Sequence, residues 1–211
     1  MPTYILYLTI PAAFLIGSVP FGVLLTRSKG IDLRKTGSGN IGATNVLRSA
    51  GKVPALLTLI GDGAKGAVSV LICCYAYNHI DPSSGIAGYG AEFWEGLAGT
   101  TAVLGHMFSA FLSFRGGKGV ATGFGFMSVY SPAAALMSLL IWISVAAIMR
   151  YSSLAAIAAV GALPLIFLLR DESMVKIAFS ILLAVLVVYK HKSNIRNLLD
   201  GTESRIGKNR T

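Results

Sequence analysis

Seven apolar stretches, at about residues 4–26, 54–77, 93–114, 119–130, 133–149, 153–169 and 174–190, are separated by short polar connections. The first, second, third and seventh approach the ~20 residues that carry a helix across a bilayer. The fourth is short, and Ser131-Pro132 separates it from the fifth. Fusing residues 119–149 into one kinked helix would leave six spans and put the first basic loop and the basic tail on opposite faces. Seven spans put every basic patch on one face. The pattern therefore predicts an all-α polytopic membrane protein with seven transmembrane helices, its N-terminus outside and its C-terminus cytoplasmic. The expectation is one domain over residues 1–211, with short broken helices around a cytoplasmic-face site and a basic tail at 191–211.

Composition agrees with that reading. Of 211 residues, 54% are hydrophobic and 13% charged, a balance wrong for a soluble domain. No basic residue precedes the first apolar stretch, which is too long for a signal-peptide core, so a retained span is expected. The 24 glycines, against a usual ~7% of residues, suit close helix packing. The net charge of +9 could suggest nucleic acid, but its placement argues otherwise. Fifteen of the 18 basic residues fall in four patches between spans: Arg27 to Lys52, Arg115 and Lys118, Arg150, and the tail from Lys190 to Arg210. Acids collect in the other connections, as Asp81, Glu92, Glu95, Asp171 and Glu172. That is the positive-inside pattern. Cys73 and Cys74, adjacent in an apolar run, suit packing.

Two basic, glycine-rich connections carry the chemistry. Residues 27–53 form the long cytoplasmic loop, in which Gly37, Gly39 and Gly42 match a dinucleotide fingerprint, with Asp62 twenty residues on. No strand precedes them, so the fingerprint fails its structural context. The physics of an anion site survives: glycines let backbone amides face a phosphate, and Ser38, Asn40, Thr44, Asn45 and Arg48 add polar contacts. The alternative is a flexible surface loop. The second connection, Arg115-Gly116-Gly117-Lys118-Gly119, is not a Walker A loop, for it joins two membrane helices. It would offer bare backbone N–H groups and two cations to a phosphate, with the next helix directing its positive end there. Snorkelling anchors are the alternative for Arg115 and Lys118. Phe108, Phe111 and Phe114 suit packing or lipid.

Three further groups stand out. Asp62 and Lys65 lie one turn apart within the second span, where an isolated charge costs about 2.5–3.5 kcal/mol; they form either a structural ion pair or a functional one. His106 is a candidate base or a core histidine. Position 111, where many acyltransferases place an aspartate after such a histidine, holds Phe111, so the usual histidine–carboxylate base is missing. Arg150-Tyr151-Ser152-Ser153-Leu154-Ala155 joins two spans on the basic face. His191 and Asn194 close the last span, followed by Glu203.

These residues resemble the bacterial acyl-phosphate-dependent glycerol-3-phosphate acyltransferase family. The resemblance rests on Ser38-Gly39-Asn40-x-Gly42-Ala43-Thr44-Asn45-x-x-Arg48, and on Gly105-His106-x-Phe108-x-x-Phe111-x-x-Phe114-x-Gly116-Gly117-Lys118-Gly119-Val120-Ala121-Thr122. It extends to Ser153-Leu154-Ala155, His191-x-x-Asn194-Ile195 and Gly201-x-Glu203. One departure is the order Arg196-Asn197, where Asn-Arg is expected. The resemblance implies transfer of an acyl chain from acyl phosphate to the 1-hydroxyl of sn-glycerol 3-phosphate, giving lysophosphatidic acid and phosphate for phospholipid biosynthesis. It implies a bacterial inner-membrane enzyme with no cofactor, metal or nucleic acid, embedded in membrane lipids. A soluble enzyme that makes acyl phosphate would be a partner. Ser38, Arg48, Lys118, His191 and Asn194 would be catalytic, and they and Ser153 would hold glycerol 3-phosphate, with Glu203 closing the site. Gly39, Asn40, Thr44, Asn45, Gly116, Gly117 and Gly119 would bind substrate, the backbone around the last three, with Thr44 and Asn45, cradling the acyl-phosphate head. A substrate phosphate oxygen would take the hydroxyl proton. The rival class is a secondary transporter of phosphate esters, whose polar residues would gather at the bilayer midplane.

Overall fold

The computed structural model describes residues 2, 4–80 and 89–207. The expected outer turn Asp81-Pro82-Ser83-Ser84-Gly85 and the tail residues Lys208 and Arg210 lie outside them. Among the described residues the regular structure is helical, and the chain gathers into two compact units, Met1–Tyr130 and Ser131–Thr211.

The first unit holds α1 (Tyr4–Ser18), α2 (Phe21–Arg27), α3 (Ala43–Ala50), α4 (Lys52–Asn78), α5 (Ala91–Met107), a 3-10 turn at Ala110–Leu112 and α6 (Val120–Tyr130). The first apolar stretch is thus two helices. Pro20 removes an amide and disfavours helical geometry at Val19, which sets the break. The third stretch stops at Met107, short of residue 114, because Ser113 and Phe114 take left-handed backbone (φ 51° and 60°) that turns the chain back.

Glycine lets these helices meet backbone to backbone. A Cβ added at Gly17 would overlap the carbonyl of Ala102, and one at Gly105 the carbonyl of Phe14, so α1 and α5 touch along bare backbone. The same holds for α4 and α6, where Gly66 faces the Thr122 carbonyl and Gly125 that of Gly63. Between apolar helices in lipid there is little hydrophobic drive, so close approach and dispersion supply the cohesion.

The second unit holds α7 (Pro132–Met149), α8 (Ser152–Gly161), α9 (Leu163–Leu169), α10 (Met174–Lys190) and α11 (Lys192–Leu199). Pro132 opens α7 just past Ser131, confirming that residues 119–149 are two helices. At the other end, Arg150 takes a left-handed φ of 61° and its amide closes on the Ala146 carbonyl. The Ser173 hydroxyl accepts the Lys176 amide and caps α10. α10 and α11 meet at a 61° bend.

Among the described residues, four helical stretches are long and apolar enough to cross a membrane: Tyr4–Arg27, Lys52–Asn78, Pro132–Met149 and Ser152–Leu169. The bent α10–α11 pair makes a fifth if taken as one span. α5, with 17 residues, and α6, with 11, fall short of that length. Gly66→Ala is expected to drive its methyl into the Thr122 backbone, which cannot move aside. Overpacking of this kind costs about 1–3 kcal/mol. Thermal unfolding in detergent should show a lowered melting point, whereas Gly161→Ala, with open space around it, should leave it unchanged; equal melting points would contradict the packing described.

Candidate active site

In the first unit, the loop between α2 and α3 is built around one side chain. Asn45 is 1% exposed; its Oδ1 accepts the Ser38 amide at 2.9 Å, and its Nδ2 donates to the carbonyls of Leu33, Thr36 and Asn40 at 3.1, 3.0 and 2.8 Å. Gly37 and Gly39 take left-handed backbone around it (φ 62° and 71°), and a side chain at Gly37 would overlap Asn45 Oδ1. Asp32 tightens the loop's start by accepting the Arg34 amide at 3.0 Å. Leu33, Ile41 and Val46 are buried with Ala55, and Leu112 packs against them. The loop is therefore a folded platform, not a flexible segment. Asn45, expected to bind substrate, forms its interior instead, while Ser38, Thr44 and Arg48 stay exposed and Asn40 is half-buried.

Arg34 joins this platform to the second glycine-rich element. Its guanidinium donates to the carbonyls of Leu112 at 3.3 Å and Arg115 at 3.2 Å. Nothing in local sequence marks Arg34 for this, because its partners lie some eighty positions away.

The Arg115–Gly119 turn differs from the expected one of bare amides. The Gly116 amide donates to the Met107 carbonyl at 3.1 Å and that of Gly117 to the His106 carbonyl at 3.0 Å. They answer carbonyls that α5 leaves open where it stops, a buried need when a helix ends away from water. A Cβ on Gly116 would overlap the His106 carbonyl, and one on Gly117 the His106 imidazole at Nε2. Gly119, at φ 78°, turns into α6. Lys118 stands half-buried between the last two glycines.

Beneath the turn lies a buried ionic cluster. Lys65 Nζ is 2.8 Å from Asp62 Oδ1 and donates to the Val19 carbonyl at 2.9 Å. His106 Nδ1 lies 3.5 Å from the same carboxylate oxygen. Asp62, Lys65 and His106 are each under 5% exposed. The histidine–carboxylate pair expected to be missing is thus present, with the carboxylate supplied by α4 rather than by position 111. Lys65 reaches a carbonyl at the α1–α2 break, and Ser109 Oγ donates to the neighbouring Ser18 carbonyl at 2.6 Å.

In the second unit, Glu203 collects the other expected residues. Its Oε1 accepts from Ser153 Oγ and from Asn194 Nδ2, both at 2.7 Å, and its Oε2 accepts from Asn197 Nδ2 at 3.4 Å. The tail is folded to allow this: Gly201 takes φ 70°, and the amides of Thr202 and Glu203 return to the Asn197 carbonyl. It is then fastened to the α7–α8 connection. Ile206 and Arg150 exchange hydrogen bonds, amide to carbonyl at 2.7 Å and guanidinium to carbonyl at 3.0 Å. Arg205 Nε meets the Tyr151 hydroxyl at 3.0 Å. His191, 2% exposed at the α10–α11 bend, has Nδ1 2.8 Å from the Val187 carbonyl. A carbonyl only accepts, so Nδ1 carries a proton and donates to it. Asn197 was missed from sequence, although it lies one turn beyond Asn194. Below α9, Lys176 Nζ is 2.9 Å from Glu172, and this hydrogen bond holds the Glu172 carboxyl below its usual range.

Comparison with known proteins bears on both units. The family model described as glycerol-3-phosphate acyltransferase matches residues 7–201. The chain is 43% identical to the glycerol-3-phosphate acyltransferase of Geotalea daltonii over 91% of its length and 93% of that protein's. It is 45% identical to that of Laribacter hongkongensis, over 92% and 93%. Its fold matches the crystal structure of PlsY, an integral membrane glycerol 3-phosphate acyltransferase, in the glycerol 3-phosphate form with a TM-score of 0.86, at 36% identity over 96% of each chain. The lysophosphatidic acid form matches with a TM-score of 0.84, at 35% identity over 96% of this chain and 95% of that one.

Removing the Asn45 amide strips three carbonyls and one N–H of their partner, and each buried group left unmet costs about 1–3 kcal/mol. Asn45→Ala is expected to open the loop, with tryptic cleavage at Arg34 and Lys35 faster by roughly tenfold or more in detergent. Unchanged cleavage would show that the platform stands without Asn45.

Proposed function

Because the chain belongs to the glycerol-3-phosphate acyltransferase family, an integral-membrane family of phospholipid biosynthesis, we propose that it takes its acyl chain from acyl phosphate. The acceptor is the 1-hydroxyl of sn-glycerol 3-phosphate, and the products are lysophosphatidic acid and inorganic phosphate. Membership sets aside the transporter alternative. The observation that carries the donor assignment is the pair of cationic, glycine-rich elements, the Ser38–Arg48 platform and the Arg115–Gly119 turn, tied together by Arg34. Two substrates that each bring a phosphate account for two such elements.

The chemistry asks little of a nucleophile. Acyl phosphate is a mixed anhydride with phosphate as a good leaving group. The glycerol oxygen attacks the acyl carbon, the carbon–oxygen bond to phosphate breaks, and the hydroxyl proton passes to a substrate phosphate oxygen. The Ser153 hydroxyl donates to Glu203 rather than to a histidine, so it is placed to orient hydroxyls, not to be acylated. His106 and Asp62 sit inside the first unit, where they serve structure better than proton transfer. Lys118 and Arg48 neutralise phosphate charge, while Ser38 and Thr44 position it. Asn194, Ser153 and His191 recognise the glycerol end, and Glu203 holds the Ser153 and Asn194 donors in place. Seven crossings, an outer N-terminus and a cytoplasmic-face site in the bacterial inner membrane belong to the same proposal, as does supply by a soluble enzyme that makes acyl phosphate.

Purified protein in detergent should release phosphate from acyl phosphate only when glycerol 3-phosphate is present. Lys118→Ala and Arg48→Ala are each expected to lower kcat/KM by about 10²–10³, the usual loss on removing a charge-stabilising donor. Turnover with acyl-coenzyme A but not with acyl phosphate would refute the donor assignment. Substrate-assisted proton removal further predicts that no single side-chain substitution abolishes the pH dependence of the rate; one that does would identify a protein base.

A further inference from the structure

The Asp62–Lys65–His106 cluster has a direction that a simple ion pair lacks. At one end Lys65 holds the Val19 carbonyl and pairs with Asp62. At the other, the His106 ring lies between Asp62, which it faces through Nδ1 at 3.5 Å, and the backbone of Gly117, where any Cβ would overlap Nε2. The His106 carbonyl also accepts the Gly117 amide, and it occupies the space a Gly116 side chain would need. The turn therefore rests on His106 through both ring and backbone, immediately before Lys118.

A lysine–carboxylate pair alone would meet the charge balance at the α1–α2 break. The imidazole is the added part, and it extends the buried charge from α4 to the turn. Core packing is discrete, so a side chain held on two sides transmits a displacement instead of absorbing it. Resting on the donor assignment above, we propose that Asp62 is a positioning residue: through His106 it seats the Arg115–Gly119 turn where the donor's phosphate binds. Asp62 touches no substrate in this arrangement.

Two measurements on Asp62→Asn in detergent test this. Hydrogen exchange of peptides covering 107–119 reads the seat without any substrate. The amides of Gly116 and Gly117 are expected to exchange about tenfold faster than in the unchanged protein, with peptides from the middle of α4 and α5 unaltered. Steady-state kinetics should then show KM for acyl phosphate raised by about tenfold and KM for glycerol 3-phosphate within about twofold. Unchanged exchange in the turn overturns the proposal whatever the kinetics. Faster exchange with both KM values raised equally, or with only kcat lowered, reduces the cluster to a general structural role and also overturns it. If the unchanged protein does not use acyl phosphate, the donor assignment fails separately, and the exchange result still decides whether Asp62 seats the turn. Should Asp62→Asn not purify folded, His106→Gln, which removes the ring but keeps a polar side chain, gives the same comparison.

Discussion

Helix ends away from water must have their carbonyls met from within the protein, and this chain is built around two such ends. α1 stops at Ser18 because of Pro20, and α5 stops at Met107 because the chain turns back. The open carbonyls are those of Ser18, Val19, His106 and Met107. Ser109, Lys65, Gly117 and Gly116 answer them in turn. Each answer draws a polar group to a set place, and the last two place the turn that carries Lys118. Lys65 in turn requires Asp62, for a lone buried cation would be costly. The requirement that makes the fold possible thus also positions its candidate chemistry.

The same logic organises the two irregular segments. Each folds around one polar side chain with more than one partner, Asn45 in the α2–α3 loop and Glu203 in the tail. An amide offers two donors and an acceptor that can gather backbone from several directions. A carboxylate offers two oxygens that can gather side-chain donors. Hence Asn45 shapes backbone and leaves Ser38, Thr44 and Arg48 outward, whereas Glu203 aligns Ser153, Asn194 and Asn197. Long ordered loops of this kind commonly carry function on a rigid support.

Much of this was legible in sequence. The apolar stretches, the break at Ser131-Pro132 and the basic connections follow from composition and local spacing, and the motif residues from the family resemblance. What escaped were interactions between distant positions. Phe111 made the histidine–carboxylate pair look absent, because the partner of His106 is Asp62, 44 positions earlier and on another helix. The glycines of the Arg115–Gly119 turn suggested amides open to a ligand. Two of them instead serve contact with the end of α5, which no local pattern reveals. Asn45 read as a ligand-binding residue for the same reason: an asparagine among glycines looks identical from sequence whether it faces inward or out.

Direct transfer from acyl phosphate, with positioned phosphates and no acyl-enzyme, is the central claim. It is tested most directly by mixing the enzyme rapidly with acyl phosphate alone. The account predicts no burst of phosphate and no acyl mass added to the intact protein, with phosphate appearing only after glycerol 3-phosphate is supplied. A burst stoichiometric with enzyme, together with a protein heavier by one acyl group, would contradict it.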